Sequence, residues 1–111
     1  MLAQMFNMKS WVKATDVDFL CCRLSEMLAK SEFTVLENAR HNFKPFGFTA
    51  LWLLSESHLA LHTFPESGFS YIELSSCIKQ PFDSFANLLK DCDLGVLNMQ
   101  INTKSTPEQP D

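Results

Sequence analysis

The chain has 111 residues, 46% of them hydrophobic and 20% charged, with a formal net charge of −4. That is one domain's length with an ordinary globular composition, which excludes a disordered acidic tail, a collagen-like chain and a coiled coil. It also excludes a two-domain enzyme that holds its cofactor between domains. Thirteen acidic residues outnumber nine basic ones, and the only arginines are Arg23 and Arg40. Phosphate contacts need a basic face, so no nucleic-acid partner is expected. The longest apolar run, near residues 50–54, is far too short for a membrane span, and no membrane partner is expected. The opening MLAQMFNMKSW lacks a basic leader followed by an apolar stretch, so no signal peptide is expected. Ten Phe against one Tyr and two Trp is an excess of dry rings. It predicts a second buried surface such as a subunit interface.

Taken in chain order, residues 2–7 (LAQMFN) read as an edge or first strand. Thr15 followed by Asp18 resembles a capping box with Asp in place of Glu. It precedes Val17, Leu20, Cys21, Leu24, Met27 and Leu28, the stripe of an amphipathic helix. Residues 33–38 (FTVLEN) read as a strand. Residues 48–55 (FTALWLLS) are apolar on both alternate sets, which predicts a strand buried on both faces. Residues 59–64 and 69–75 follow as strands around the turn signal Pro65-Glu66-Ser67-Gly68. Phe82, Phe85, Ala86 and Leu89 place an apolar stripe on a second helix. Gly95 marks a break, and residues 96–101 read as a last short strand. The polar end with two prolines, residues 102–111, reads as a disordered tail, leaving residues 1–101 as the domain. Helices with one apolar side must share one face of a sheet. The fold class predicted is therefore α+β, a two-layer sandwich of a mainly antiparallel sheet under two helices.

Four cysteines, Cys21, Cys22, Cys77 and Cys92, form no CxxC pair. Adjacent Cys21 and Cys22 cannot readily bridge each other, so this is reduced, cytoplasmic usage. Chemistry concentrates in Ser55-Glu56-Ser57-His58-Leu59-Ala60-Leu61-His62-Thr63-Phe64-Pro65-Glu66. On a strand His58 and His62 share one side, which predicts that both lie close to the Glu56–Ser57 peptide bond. Three readings compete: a polar strand end with hydrogen-bonded imidazoles, a zinc site, and a hydrolytic serine. The absence of HExxH and paired cysteines argues against a metal, and none is expected. The absence of a G-x-S-x-G elbow argues against a hydrolase.

A fourth reading rests on resemblance. HNFKPFG (residues 41–47), ESHLALHTFPE (residues 56–66) and Cys77 match, in order and spacing, the prokaryotic S-adenosylmethionine decarboxylase proenzymes. Their pattern is close to H-x-F-x-P-x-G, then E-S-H-x-x-x-H-T-W-P-E, then an acidic residue before F-T-C. The resemblance covers about half the chain. The first forty residues fit by element order alone.

The resemblance implies self-cleavage at Glu56–Ser57 into residues 1–56 and 57–111. The Ser57 hydroxyl turns the amide into an ester, and elimination leaves a pyruvoyl group on Ser57 as the resident cofactor. Such a group is an electron sink for decarboxylation, reached through a Schiff base with the substrate amine. His62 matches the family's histidine of maturation, and an imidazole suits proton transfer in either direction. Thr49 stands where the family has Ser, which keeps the hydroxyl and restricts the rotamer. Cys77 matches the proton donor, and a thiol is mostly protonated at neutral pH. Phe43, Phe64 and Glu66 match the ligand-holding positions, with Phe64 in place of Trp. Glu73 stands in place of the usual Asp, and Ser75-Ser76 in place of F-T. The implied activity is decarboxylation of S-adenosylmethionine, supplying the aminopropyl donor for polyamine (spermidine) synthesis. The same scaffold with arginine or ornithine as substrate, and a non-catalytic homologue, are the alternatives. The resemblance also implies a homodimer joined through the sheets.

Overall fold

A computed structural model describes residues 3–107. The elements run β1 (Gln4–Val12), α1 (Val17–Lys30), β2 (Val35–Asn42), β3 (Phe48–Leu54), β4 (Ser57–Phe64), β5 (Phe69–Ser76), α2 (Lys79–Lys90) and β6 (Val96–Ser105). The strands form one sheet in the order β2-β3-β4-β5-β1-β6, and every neighbouring pair is antiparallel. Both helices lie on one face. The predicted α+β sandwich is the fold observed.

Strand alternation builds the core. Met8 and Val12 of β1, Ala50, Trp52 and Leu54 of β3, Leu59 and Leu61 of β4, and Ile72 and Leu74 of β5 point to the helices and are buried. They meet Leu20, Leu24 and Leu28 of α1 and Phe82, Phe85 and Leu89 of α2. The cap of α1 is Asp16, one residue after the predicted Thr15. Its carboxylate accepts from the Phe19 N–H at 2.8 Å, a contact that contributes about 1 kcal/mol.

Three expectations are corrected. β6 continues through Ser105, so the segment predicted as a tail from residue 102 begins as strand; Asn102–Ser105 pair with Gln4–Asn7 of β1. Polar composition hid this, because an edge strand with water on its outer side does not need apolar residues. Residues 108–111 of that predicted tail lie outside the described residues. β1 likewise extends well past the predicted end at residue 7, to Val12. Finally, β3 is buried on one face only. Leu51 and Leu53 are 47% and 49% exposed, because both helices of this chain lie on the other side.

Five phenylalanines are core: Phe6, Phe33, Phe48, Phe82 and Phe85. Four others, Phe43, Phe46, Phe64 and Phe69, are exposed. All four sit at one end of the sheet, in or beside the loops that join β2 to β3 and β4 to β5.

Candidate active site

The two ends of the β3–β4 hairpin hold different chemistry. At the turn, Ser55 and Glu56 are the only residues between paired Leu54 and Ser57. Glu56 has φ of 60°, the left-handed region that costs a side-chain-bearing residue about 1–2 kcal/mol. Backbone strain therefore sits on the residue whose carbonyl precedes Ser57. That carbonyl oxygen accepts from the Cys77 N–H at 3.4 Å and from the Cys77 thiol at 3.2 Å. Two donors thus face the oxygen on which charge develops if a nucleophile adds to the carbon.

Ser57 is buried at the start of β4, on the helix side of the sheet. Its Oγ donates to the Ser76 Oγ at 2.7 Å. Register explains the contact, since Ser57 and Ser76 are direct partners across β4 and β5. Nothing in the sequence alone marked Ser76 as more than a departure from the F-T pattern. The signal that would have found it is the pairing of β4 with β5. Beside Cys77, a cleft of ≈ 320 Å³ is lined by Ala3, Gln4, Phe6, Cys77 and Lys79.

The far end of the hairpin carries the second group. Thr49 Oγ1 and His62 Nδ1 are 2.9 Å apart, as cross-strand partners of β3 and β4. A cleft of ≈ 220 Å³ there is lined by Phe43, Phe48, Thr49, His62, Phe64 and Glu66, among others. His41 meets the Phe43 ring edge-on at 4.6 Å. The positions expected to hold a ligand, Phe43, Phe64 and Glu66, are thus brought together around His62.

Glu73 stands apart from that cleft, on the same open face. Its two carboxylate oxygens accept from the Asn7 side-chain amide and the Tyr71 hydroxyl, each at 3.1 Å. Tyr71 packs against Trp11 at 5.1 Å and stacks on His62 at 6.3 Å. Burial first, then the hydrogen bond and the negative charge of Glu73, push the Tyr71 hydroxyl up to about 12.

The expectation that both histidines lie close to the Glu56–Ser57 bond needs correction. His58 and His62 do share the open face, but Ser57 points to the opposite one. His62 is also five positions further along the strand, roughly 16 Å at an extended rise. Within one chain the Glu56–Ser57 bond and the Thr49–His62 pair do not meet. Among the described residues no group of three or more His, Cys, Asp or Glu is placed to hold a metal ion.

Fold and geometry together define a class: a small α+β sandwich that bends a Glu-Ser peptide into a strained turn and holds its carbonyl with a cysteine. Residues 3–102 match the family described as S-adenosylmethionine decarboxylase. A proenzyme of that name from Acidithiobacillus ferrooxidans is 35% identical over 79 residues, covering 69% of this chain and 59% of its own length. Another, from Prochlorococcus marinus, is 33% identical over 97 residues, 86% of this chain and 78% of its own. The adenosylmethionine decarboxylase structure from Aquifex aeolicus superposes with a TM-score of 0.66, covering 98% of each chain at 16% identity, and so shares the fold. The chain belongs to the S-adenosylmethionine decarboxylase family. The match with the Acidithiobacillus relative spans little more than half of that protein's length.

Proposed function

We infer that this protein is a self-processing, pyruvoyl-dependent decarboxylase of S-adenosylmethionine, working in the cytoplasm as a homodimer. The observation that carries the reading is the grip of Cys77 on the carbonyl of Glu56, at a strained turn and next to a buried serine. Donors aimed at that oxygen and a hydroxyl one residue away are the groups an N-to-O acyl shift at this peptide bond requires. The named relatives support S-adenosylmethionine as substrate, and nothing in the fold favours arginine or ornithine over it. Four free thiols among the described residues are in keeping with a reducing compartment. No helix among them is long and apolar enough to cross a membrane.

A pyruvoyl group derived from Ser57 would supply the electron sink for loss of CO₂. The residues around it have separate tasks. Cys77 follows Ser76, the cross-strand partner of Ser57, and its Sγ, 3.2 Å from the carbonyl oxygen of Glu56, would deliver the proton at that position. Phe43 and Phe64 offer ring faces for a heteroaromatic ligand, with Glu66 beside them to accept its hydroxyl or amine protons. Glu73, held by Asn7 and Tyr71, presents fixed negative charge to a cationic substrate.

A homodimer shortens the separation of Ser57 from His62 along the strand, and the Ser57 side chain, which points to the helix side, has then only to swing toward the open face. Open sheet faces packed together, with strands running oppositely, bring the turn end of one protomer onto the Thr49–His62 end of the other. Half-exposed Leu51, Leu53 and Trp11 on that face support such packing.

Intact-protein mass spectrometry tests the reading. Two fragments, residues 1–56 and 57–111, are expected, the second lacking a free amino-terminal serine. Cyanoborohydride in the presence of S-adenosylmethionine is expected to add mass to that fragment. A single uncleaved chain with no adduct sinks the proposal.

A further inference from the structure

The hydrogen bonds around Ser76 fix which way the proton of Ser57 points. The Ser76 hydroxyl has one proton and two lone pairs. It accepts from the Ile78 N–H at 3.0 Å and lies 3.1 Å from the Ile78 carbonyl oxygen, which can only accept. Its own proton is therefore committed to Ile78. The proton between Ser57 and Ser76, at 2.7 Å, must belong to Ser57. Both hydroxyls are buried, at 7% and 0% exposure, so water does not compete.

We propose that Ser76 is a positioning residue for self-cleavage, holding the Ser57 hydroxyl so that its lone pairs are free for the Glu56 carbonyl. This rests on the self-processing reading above. A serine on its own turns its proton to nearby backbone carbonyls. The Glu56 carbonyl is the one that precedes Ser57 in the chain, and a hydroxyl that donates to it cannot attack its carbon. Ser76 removes that unproductive contact. In the step itself the Ser57 Oγ–carbon bond forms and the Glu56–Ser57 carbon–nitrogen bond breaks. The Oγ proton ends on the Ser57 nitrogen, giving an ester and a free amine with no outside reactant. Adjacent residues at the end of β5 thus divide the work: Ser76, its last residue, holds the nucleophile and Cys77, just beyond it, holds the carbonyl.

The test compares hydroxyl with methyl at constant volume. Freshly translated wild type, Ser76→Thr and Ser76→Val are followed by intact mass, with and without neutral hydroxylamine, which cuts the ester and spares the amide. Ser76→Thr is expected to cleave within about threefold of wild type, because the hydroxyl remains. Ser76→Val is expected to slow at least about tenfold, the worth of one buried hydrogen bond. It is also expected to show no hydroxylamine-sensitive ester, since the lost contact precedes ester formation. Ser76→Ala, which only removes atoms, carries the same expectation and guards against misfolding of the valine variant; circular dichroism checks each. Cleavage of Ser76→Val and Ser76→Ala at the wild-type rate, or an accumulating ester in either, overturns the role of Ser76. An intact wild-type chain overturns self-processing itself, which is a separate result.

Discussion

Thr49 and His62 are direct cross-strand partners, and their side chains meet at 2.9 Å between Oγ1 and Nδ1. With Nδ1 engaged, Nε2 is the ring nitrogen left to exchange a proton. The pairing holds the ring's orientation, a usual task of a partner to a catalytic imidazole. Thr49→Val keeps the shape and removes the partner. It is expected to slow maturation about tenfold at the stage after the ester, so that hydroxylamine releases fragments from the stalled chain. Thr49→Ser is expected to mature at least as fast as wild type, because the unbranched side chain reaches the same rotamer freely. A valine variant that matures normally contradicts this assignment.

The distance between Ser57 and His62 makes a second expectation. Ser57→Ala and His62→Ala chains are each expected to remain uncleaved alone. Expressed together, they form mixed dimers in which one interface holds an intact Ser57 from one protomer and an intact His62 from the other. The His62→Ala chain is then expected to be cut, and the Ser57→Ala chain to remain whole. Mass spectrometry distinguishes the two chains directly. Cleavage confined to unmixed wild type argues that each protomer rearranges to complete its own site.

The open face supplies a third. Leu53 is about half exposed in the single chain and packs against no helix. Leu53→Glu is therefore expected to leave the protomer folded, with a stability change within about 0.5 kcal/mol of wild type. It is expected to turn a dimer into a monomer in size-exclusion chromatography, since a charge at the centre of a buried apolar patch finds no partner. Processing is expected to fail with it. A dimeric, fully processed Leu53→Glu chain removes this face from the interface.

Much of this arrangement was legible in the sequence. The helical stripe from Val17 to Leu28 carries a strong period, and the apolar run of β3 and the turn signal at residues 65–68 marked out the central strands, so element type and fold class followed. The ESH and H-x-F-x-P-x-G motifs located Glu56, Ser57, His62 and Phe43 without any coordinates. What remained hidden depends on pairing across strands. Ser76 meets Ser57 only through the β4–β5 register, and Asn7 reaches Glu73 only because β1 inserts between β5 and β6. The continuation of β6 to Ser105 was masked because residues 102–105 satisfy their backbone on β1 while their side chains face water. Proximity along the chain also misled: His62 is five residues from Ser57, and extended structure carries it away rather than near.

Tyr71 offers a check on the open face that is independent of catalysis. It is the only tyrosine in the chain, so phenolate absorbance in the near ultraviolet reads this one group. Burial, then the hydrogen bond to Glu73 and its charge, push the hydroxyl up to about 12. The folded chain therefore binds this proton more tightly than the unfolded chain, where an ordinary phenol titrates near about 10. The sign follows from linkage: the stabilisation is complete below about pH 10 and is lost as pH rises from there to about 12. Tyr71→Phe is expected to remove that part of the alkaline loss of stability in denaturant titrations. Glu73→Gln is expected to bring the phenol down toward its ordinary value, though not the whole way, because burial is the largest cause. A wild-type tyrosine that titrates near about 10 contradicts the contact between Tyr71 and Glu73, and with it the fixed carboxylate assigned to the substrate.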